Sequence, residues 1–133
     1  MSEEMKTIAV IDHQIDICGR SPLVDFLRDK CCYRLFYGRN NKEAEIIITS
    51  EEIFDLLVVK EDIKAGINAI EIIQKMLALR VRKNTPILVL RRRPKRTADL
   101  LQPPLPDQAH LLFYPLKSEV LKKNLVSLLK KPV

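Results

Sequence analysis

The chain has 133 residues, 47% of them hydrophobic and 30% charged, which suits one soluble globular domain with one substantial core. No apolar run reaches the ~18 residues that span a bilayer, and the polar start MSEEMK has no signal-peptide pattern, so a membrane role is excluded and a cytoplasmic protein is expected. The formal net charge of +6 is moderate, and its distribution matters more than its size.

KTIAVID (6–12) is a β-branched apolar run and reads as a buried strand that ends at Asp12 and His13. SPLVDFLRDK (21–30) reads as a helix with Ser21 at the N-cap and Pro22 in the first turn. YRLFYG (33–38) is a second strand stopped by Gly38. NKEAEIIITSEE (41–52) reads as helix, although three consecutive isoleucines favour strand. FDLLVV (54–59) is the third strand, and it runs out into Lys60, Glu61 and Asp62. GINAIEIIQKMLALRVRK (66–83) reads as the longest helix, with Ile67, Ile70, Ile73, Met76, Leu77 and Val81 forming one apolar stripe. TPILVL (85–90) is the fourth strand. A short helix is expected around 95–101, and QPPLP (102–106) breaks it. HLLFY (110–114) is the fifth strand, with His110 a structural residue at its start. SEVLKKNLVSLLKK (118–131) closes the chain as an amphipathic helix capped by Ser118.

Five strands alternate with helices, and continuously apolar strands imply burial on both faces. The expected fold is a flavodoxin-like (βα)5 doubly wound parallel sheet of strand order 2-1-3-4-5. Residues 1–133 read as a single domain with its core between about 6 and 131. Ligand chemistry in such folds sits where the strands end, here at Asp12 and His13, Lys60 to Asp62, Arg91 to Arg93, and Tyr114-Pro115. Cys18, Cys31 and Cys32 lack any C-x-x-C spacing and are expected to be reduced, mostly buried thiols. Between Arg80 and Arg96 stand eight basic residues and no acid. Arg80, Arg82 and Lys83 are expected to complement the negative end of the third helix, at the edge away from the strand ends. Arg91, Arg92, Arg93, Lys95 and Arg96 form a candidate anion-binding loop at the strand-end edge.

In order and spacing, AVIDHQIDI (9–17), DLLVVKEDIKAGINAIEII (55–73), TPILVL (85–90) and FYPL (113–116) resemble the CheY-like receiver domain of bacterial two-component response regulators. The resemblance covers about residues 6 to 131. It implies a mechanism in which two acids after the first strand and an Asp ending the third bind Mg²⁺. That third Asp takes a phosphoryl group from a histidine kinase, a Ser/Thr and a Lys contact the phosphate, and an aromatic on the fifth strand swings inward. It also implies a cis Tyr114–Pro115 bond. At those positions this chain keeps Asp12 and Pro115 but has His13 at the second acid and Lys60 at the acceptor. Arg91 stands for the Ser/Thr, Tyr114 for the Lys and Leu111 for the switch aromatic.

An acyl phosphate needs a carboxylate, which Lys60 lacks. Its ammonium is expected to replace the metal and pair with Asp12. A register slip by one residue instead puts Glu61 at the acceptor position, where it resembles a permanent phospho-Asp. Asp62 is a third, weaker acceptor candidate, and His13 reads as a solvated loop histidine. No metal, no cofactor and no enzymatic activity are expected.

Two function classes follow. One is a phosphorylation-independent receiver-like signalling module that binds a protein partner or a second copy of itself. Its face would be the fourth helix, fifth strand and fifth helix, with Leu100, Leu101, Leu105 and Leu111. The other is an anion-, nucleotide- or nucleic-acid-binding module built on the loop 91–96. Receivers often open a longer protein, and LLKKPV looks like the start of a linker, so the chain is also readable as a fragment.

Overall fold

The computed structural model describes residues 5–93, 105–107 and 109–129. The apolar runs form strands β1 (Thr7–Ile11), β2 (Arg34–Gly38), β3 (Leu56–Lys60), β4 (Ile87–Arg92) and β5 (Ala109–Tyr114). All neighbours pair in parallel, in the order β2-β1-β3-β4-β5, as expected. Between them lie α1 (Pro22–Asp25), α2 (Asn41–Thr49), α3 (Ala69–Leu77) and α4 (Ser118–Leu129). The helix expected around 95–101 falls outside the described residues, as do Lys95, Arg96, Leu100 and Leu101.

The strand period of two splits the core between the sheet's faces. Ala9, Ile11, Leu57, Val59, Ile87 and Val89 meet Ala44 and Ile48 of α2 and Ile72, Ile73 and Met76 of α3. Ile8, Val10, Leu56, Val58, Leu88 and Leu90 meet Leu23 and Val24 of α1, Leu27 just after it, and Leu121, Leu125 and Leu128 of α4. Each of the Val, Leu, Ile and Met side chains among them contributes roughly 1.5–3 kcal/mol on burial. β2 and β5, at the edges, are only half-buried.

Local chemistry starts the helices. The Ser21 hydroxyl accepts from Val24 N–H at 3.1 Å and begins α1, which continues as a π turn over Phe26–Lys30. Asn40 accepts from Glu43 N–H at the start of α2, and the Glu43 carboxylate returns to Arg39 N–H at 2.9 Å. That bond holds the Glu43 carboxyl below its usual range. At α4 the Lys117 carbonyl accepts the first helical bonds, so Ser118 lies inside the helix and is not its cap.

The segment 66–83 is not one long helix. α3 stops at Leu77, Leu79 is extended, and Arg80–Arg82 form a separate 3-10 turn. α4 is therefore the longest helix among the described residues. Val81 leaves the apolar stripe and is exposed, while Ile72 takes a core place. Arg82 turns inward and serves a different helix from the one expected. Its guanidinium donates to the carbonyls of Ile47, Ile48 and Ser50, capping α2, and lies 4.2 Å from the centre of the Phe54 ring. The three thiols are free, but Cys18 and Cys32 are exposed and Cys31 is half-buried, against the expectation of burial. They lie on turns, with Cys32 at φ +59° just after the π turn. His110 is exposed, because edge strand β5 leaves one side open.

Candidate functional site

The C-terminal ends of β1, β3, β4 and β5 bring together Asp12, Lys60, Glu61, Arg91 and Tyr114. Asp12 follows β1 and is fully buried. One of its carboxylate oxygens accepts from Gln14 N–H at 3.0 Å, and the other accepts from the Ser21 hydroxyl at 2.8 Å. Both oxygens are thus engaged in tying the loop after β1 to the start of α1. The expected Lys60–Asp12 ion pair does not form. Lys60 ends β3, and its ammonium donates to Gln14 Oε1 at 2.6 Å, 5.3 Å from the centre of the Tyr114 ring.

Register explains the next contact. Lys60 lies opposite Leu90, so Glu61 and Arg91 stand side by side one residue further on. Glu61 N–H still donates to Leu90 O at 2.8 Å, which carries the strand direction through residue 61 without a bulge. The Glu61 side chain, 5% exposed, takes Arg91 Nε on Oε1 at 2.6 Å and Arg91 Nη2 on Oε2 at 3.4 Å. Oε2 also accepts from Ala69 N–H at 3.0 Å, the first residue of α3. The carboxylate therefore sits between the Arg91 guanidinium and the N-terminal end of α3, and accepts hydrogen bonds from both. The Tyr114 hydroxyl donates to the Glu61 carbonyl at 3.2 Å and fixes the same residue from β5. The following Tyr114–Pro115 bond is cis, as the resemblance implies.

Asp62 caps the short turn Ile63–Ala65 and pairs its backbone with Ile67, closing a tight loop whose Gly66 has φ +88°. A residue with a side chain is strained in that conformation. His13 is not simply solvated. It is half-buried, its Nε2 lies 3.7 Å from Asp62 Oδ2, and its buried Nδ1 has no hydrogen-bond partner among the described residues.

These donors do not fit the Mg²⁺ that the resemblance implies. Asp12 and Glu61 have committed their oxygens, and an ammonium and a guanidinium stand beside them. Among the described residues no group of three or more His, Cys, Asp and Glu could hold a metal ion. Nor is Arg91 free for an outside anion, which removes one member of the proposed basic loop. Arg92 and Arg93 are exposed. Leu105 and Leu111 are half-buried and pack against the core beside α2 and α3.

Sequence reasoning missed Gln14, the Ala69 amide and the bond of the N-cap Ser21 to Asp12, and did not join Glu61 to Arg91. The signal for that pair was present, because an acid and a base each come one step past equivalent positions of neighbouring parallel strands.

No family model matches the chain, and no curated protein matches it. Solved structures do. A response regulator from Chloroflexus aurantiacus, described as putative, superposes with a TM-score of 0.72 at 15% identity, covering 96% of this chain and 100% of that one. The chemotaxis response regulator CheY4 of Vibrio cholerae gives 0.68 at 20% identity, covering 94% and 99%. The receiver domain of a Pseudomonas aeruginosa sensor histidine kinase, which holds a magnesium ion in its active-site cleft, gives 0.70 at 13% identity, covering 96% and 100%. No described helix is long and apolar enough to cross a membrane. With its parallel sheet in the order 2-1-3-4-5 and these near full-length superpositions, the chain has the CheY-like receiver fold.

Proposed function

We propose that this chain is a receiver-like signalling module that works by protein–protein interaction without a phosphorylation cycle. The observation that carries this reading is the Glu61–Arg91 pair. An acceptor must offer a free carboxylate to an incoming phosphoryl group. Lys60, at the family's acceptor position, has none. Glu61, its neighbour, has both oxygens occupied and is shut from solvent. The pair supplies internally what a phosphoryl group supplies in the family, an anion bound at the strand ends. The site is accordingly fixed in one state, and Lys60 reinforces it by tying β3 to the loop after β1 through Gln14. Signalling then depends on whether the module is present and bound, not on its modification.

Intact mass after incubation with Mg²⁺ and acetyl phosphate tests the proposal. No gain of a phosphoryl group is expected for the wild type or for Lys60→Asp, because His13, Arg91 and Tyr114 remain in the variant. A phosphoryl adduct on Asp12, Glu61 or Asp62 of the wild type would overturn the reading.

A further inference from the structure

We propose that the adjacent thiols of Cys31 and Cys32 form a two-sulfur site for a trivalent arsenical, an arsenic(III) centre carrying one organic group and two exchangeable hydroxyls. The pair lies between the π turn and β2, at the start of that strand, and so at the opposite edge of the sheet from Glu61 and Arg91. Both thiols are free. Backbone bonds hold the pair from each side. Cys31 N–H donates to Phe26 O at 3.2 Å, and Tyr33 N–H donates to Leu27 O at 3.1 Å. The thiols are therefore presented from an ordered turn, and little freedom is lost when both engage one atom. Cys32 is exposed and has φ +59°, a left-handed conformation that costs energy for a residue with a Cβ and that glycine takes freely. Its side chain neither fills the core nor suits its backbone, so what the position offers is the thiol.

Coordination chemistry selects the ligand. Sulfur donors favour soft centres. A structural zinc or an iron–sulfur cluster needs four protein ligands, and among the described residues no group of three or more His, Cys, Asp and Glu could hold a metal ion. A direct disulfide is disfavoured by reach, because neighbouring Cα atoms stand about 3.8 Å apart, short of the roughly 4.4–6.8 Å that disulfides span. A bridging atom widens that ring, and an arsenic that keeps one organic group needs two sulfurs and no more. Burial pushes the Cys31 thiol up, and Lys122 of α4 opposes the shift. That disfavours the thiolate on which disulfide exchange depends. Arsenic capture uses the protonated thiols as they stand. Each S–H proton leaves with one arsenic hydroxyl as water, two As–O bonds give way to two As–S bonds, and nothing is oxidised or reduced. The inference does not depend on the state of the strand-end site.

The probe is phenylarsine oxide, which hydrates in water to the dihydroxy form, and the readout is intact mass of the full chain in excess 2-mercaptoethanol. That monothiol strips arsenic from single cysteines. The expected product is one phenylarsenic unit per chain, retained in the monothiol and released by 2,3-dimercaptopropanol. Cys31→Ser and Cys32→Ser should each weaken retention about a hundredfold or more, because a single thiol loses the second, intramolecular bond. Cys18→Ser, on a different loop, should retain the adduct fully. Cys32 is exposed, so Cys32→Ser should keep the circular dichroism of the wild type, and Cys32→Gly should melt at the same temperature or higher. No adduct surviving the monothiol, an adduct surviving in Cys32→Ser, or its loss in Cys18→Ser overturns the proposal. So does a melting temperature several degrees lower for Cys32→Gly, which would mean that the side chain serves the fold. A Cys31–Cys32 disulfide formed on incubation with an oxidised dithiol also overturns it, in favour of a redox pair. None of these variants touches Lys60, Glu61 or Arg91, so a phosphoryl adduct in the acetyl phosphate experiment is read separately.

Discussion

Glu61 shows how much a single buried carboxylate can decide. A buried ion pair gains little over a well-packed apolar pair, yet removing one partner leaves a charge stranded and costs about 3–5 kcal/mol. Arg91→Ala is therefore expected to destabilise the fold by about that amount. The double variant Glu61→Leu/Arg91→Met should recover most of the loss, because no charge is then left buried. Urea denaturation of the three proteins measures both effects. A loss below about 1 kcal/mol for Arg91→Ala, the level of a surface pair, would mean that the two side chains are not a lock. The site's members were readable from the sequence, since Asp12, Lys60, Arg91 and Tyr114 each end or follow a recognisable strand. Their partners were not. Pairing Lys60 with Asp12 by sign alone neglects local competition, and the Asp12 oxygens are consumed by Gln14 and Ser21, residues whose contribution no charge pattern reveals.

At the scale of elements, the two ends of α2 are secured by different means. Asn40 and Glu43 close its start within a few residues of chain. Its end is closed by Arg82, more than thirty residues away in sequence. Arg82→Leu keeps bulk over Phe54 but takes the guanidinium from the Ile48 and Ser50 carbonyls, at a cost of about 1–3 kcal/mol for unsatisfied buried groups, while the Ile47 carbonyl keeps its bonds from Ser50. Thermal unfolding reads that cost, and an unchanged midpoint would show that water replaces the guanidinium freely. This arrangement also explains why periodicity overran α3. The positions through Leu77 follow a helical stripe, and nothing in residue type marks the extended Leu79. The break follows from a contact between distant segments, which an eighteen-residue window cannot contain. The starts of α1 and α2 were easier, because Ser21 and Asn40 act on amides three residues ahead.

For the whole molecule, strand order and parallel pairing were legible because apolar runs buried on both faces, alternating with helical segments, leave few topologies open. Exposure at the sheet edges was less so, and β5 carries more open surface than its apolar composition suggests. The coupling of Glu61 to three elements has a consequence for timing. In a domain that switches, the loop after the third strand belongs to the segments that open readily and exchange their amide hydrogens early. Here Glu61 N–H is bonded to Leu90 O, and Ala69 N–H is bonded to the Glu61 carboxylate. In hydrogen–deuterium exchange both amides should keep pace with those of Val58 and Val89 in the sheet centre, releasing their protons only when the domain unfolds as a unit. Arg91→Ala should advance Ala69 to the pace of the exposed Lys64 turn while leaving Val58 slow. Uniformly early exchange at Glu61 and Ala69 in the wild type would mean that the strand-end edge keeps its own, faster clock.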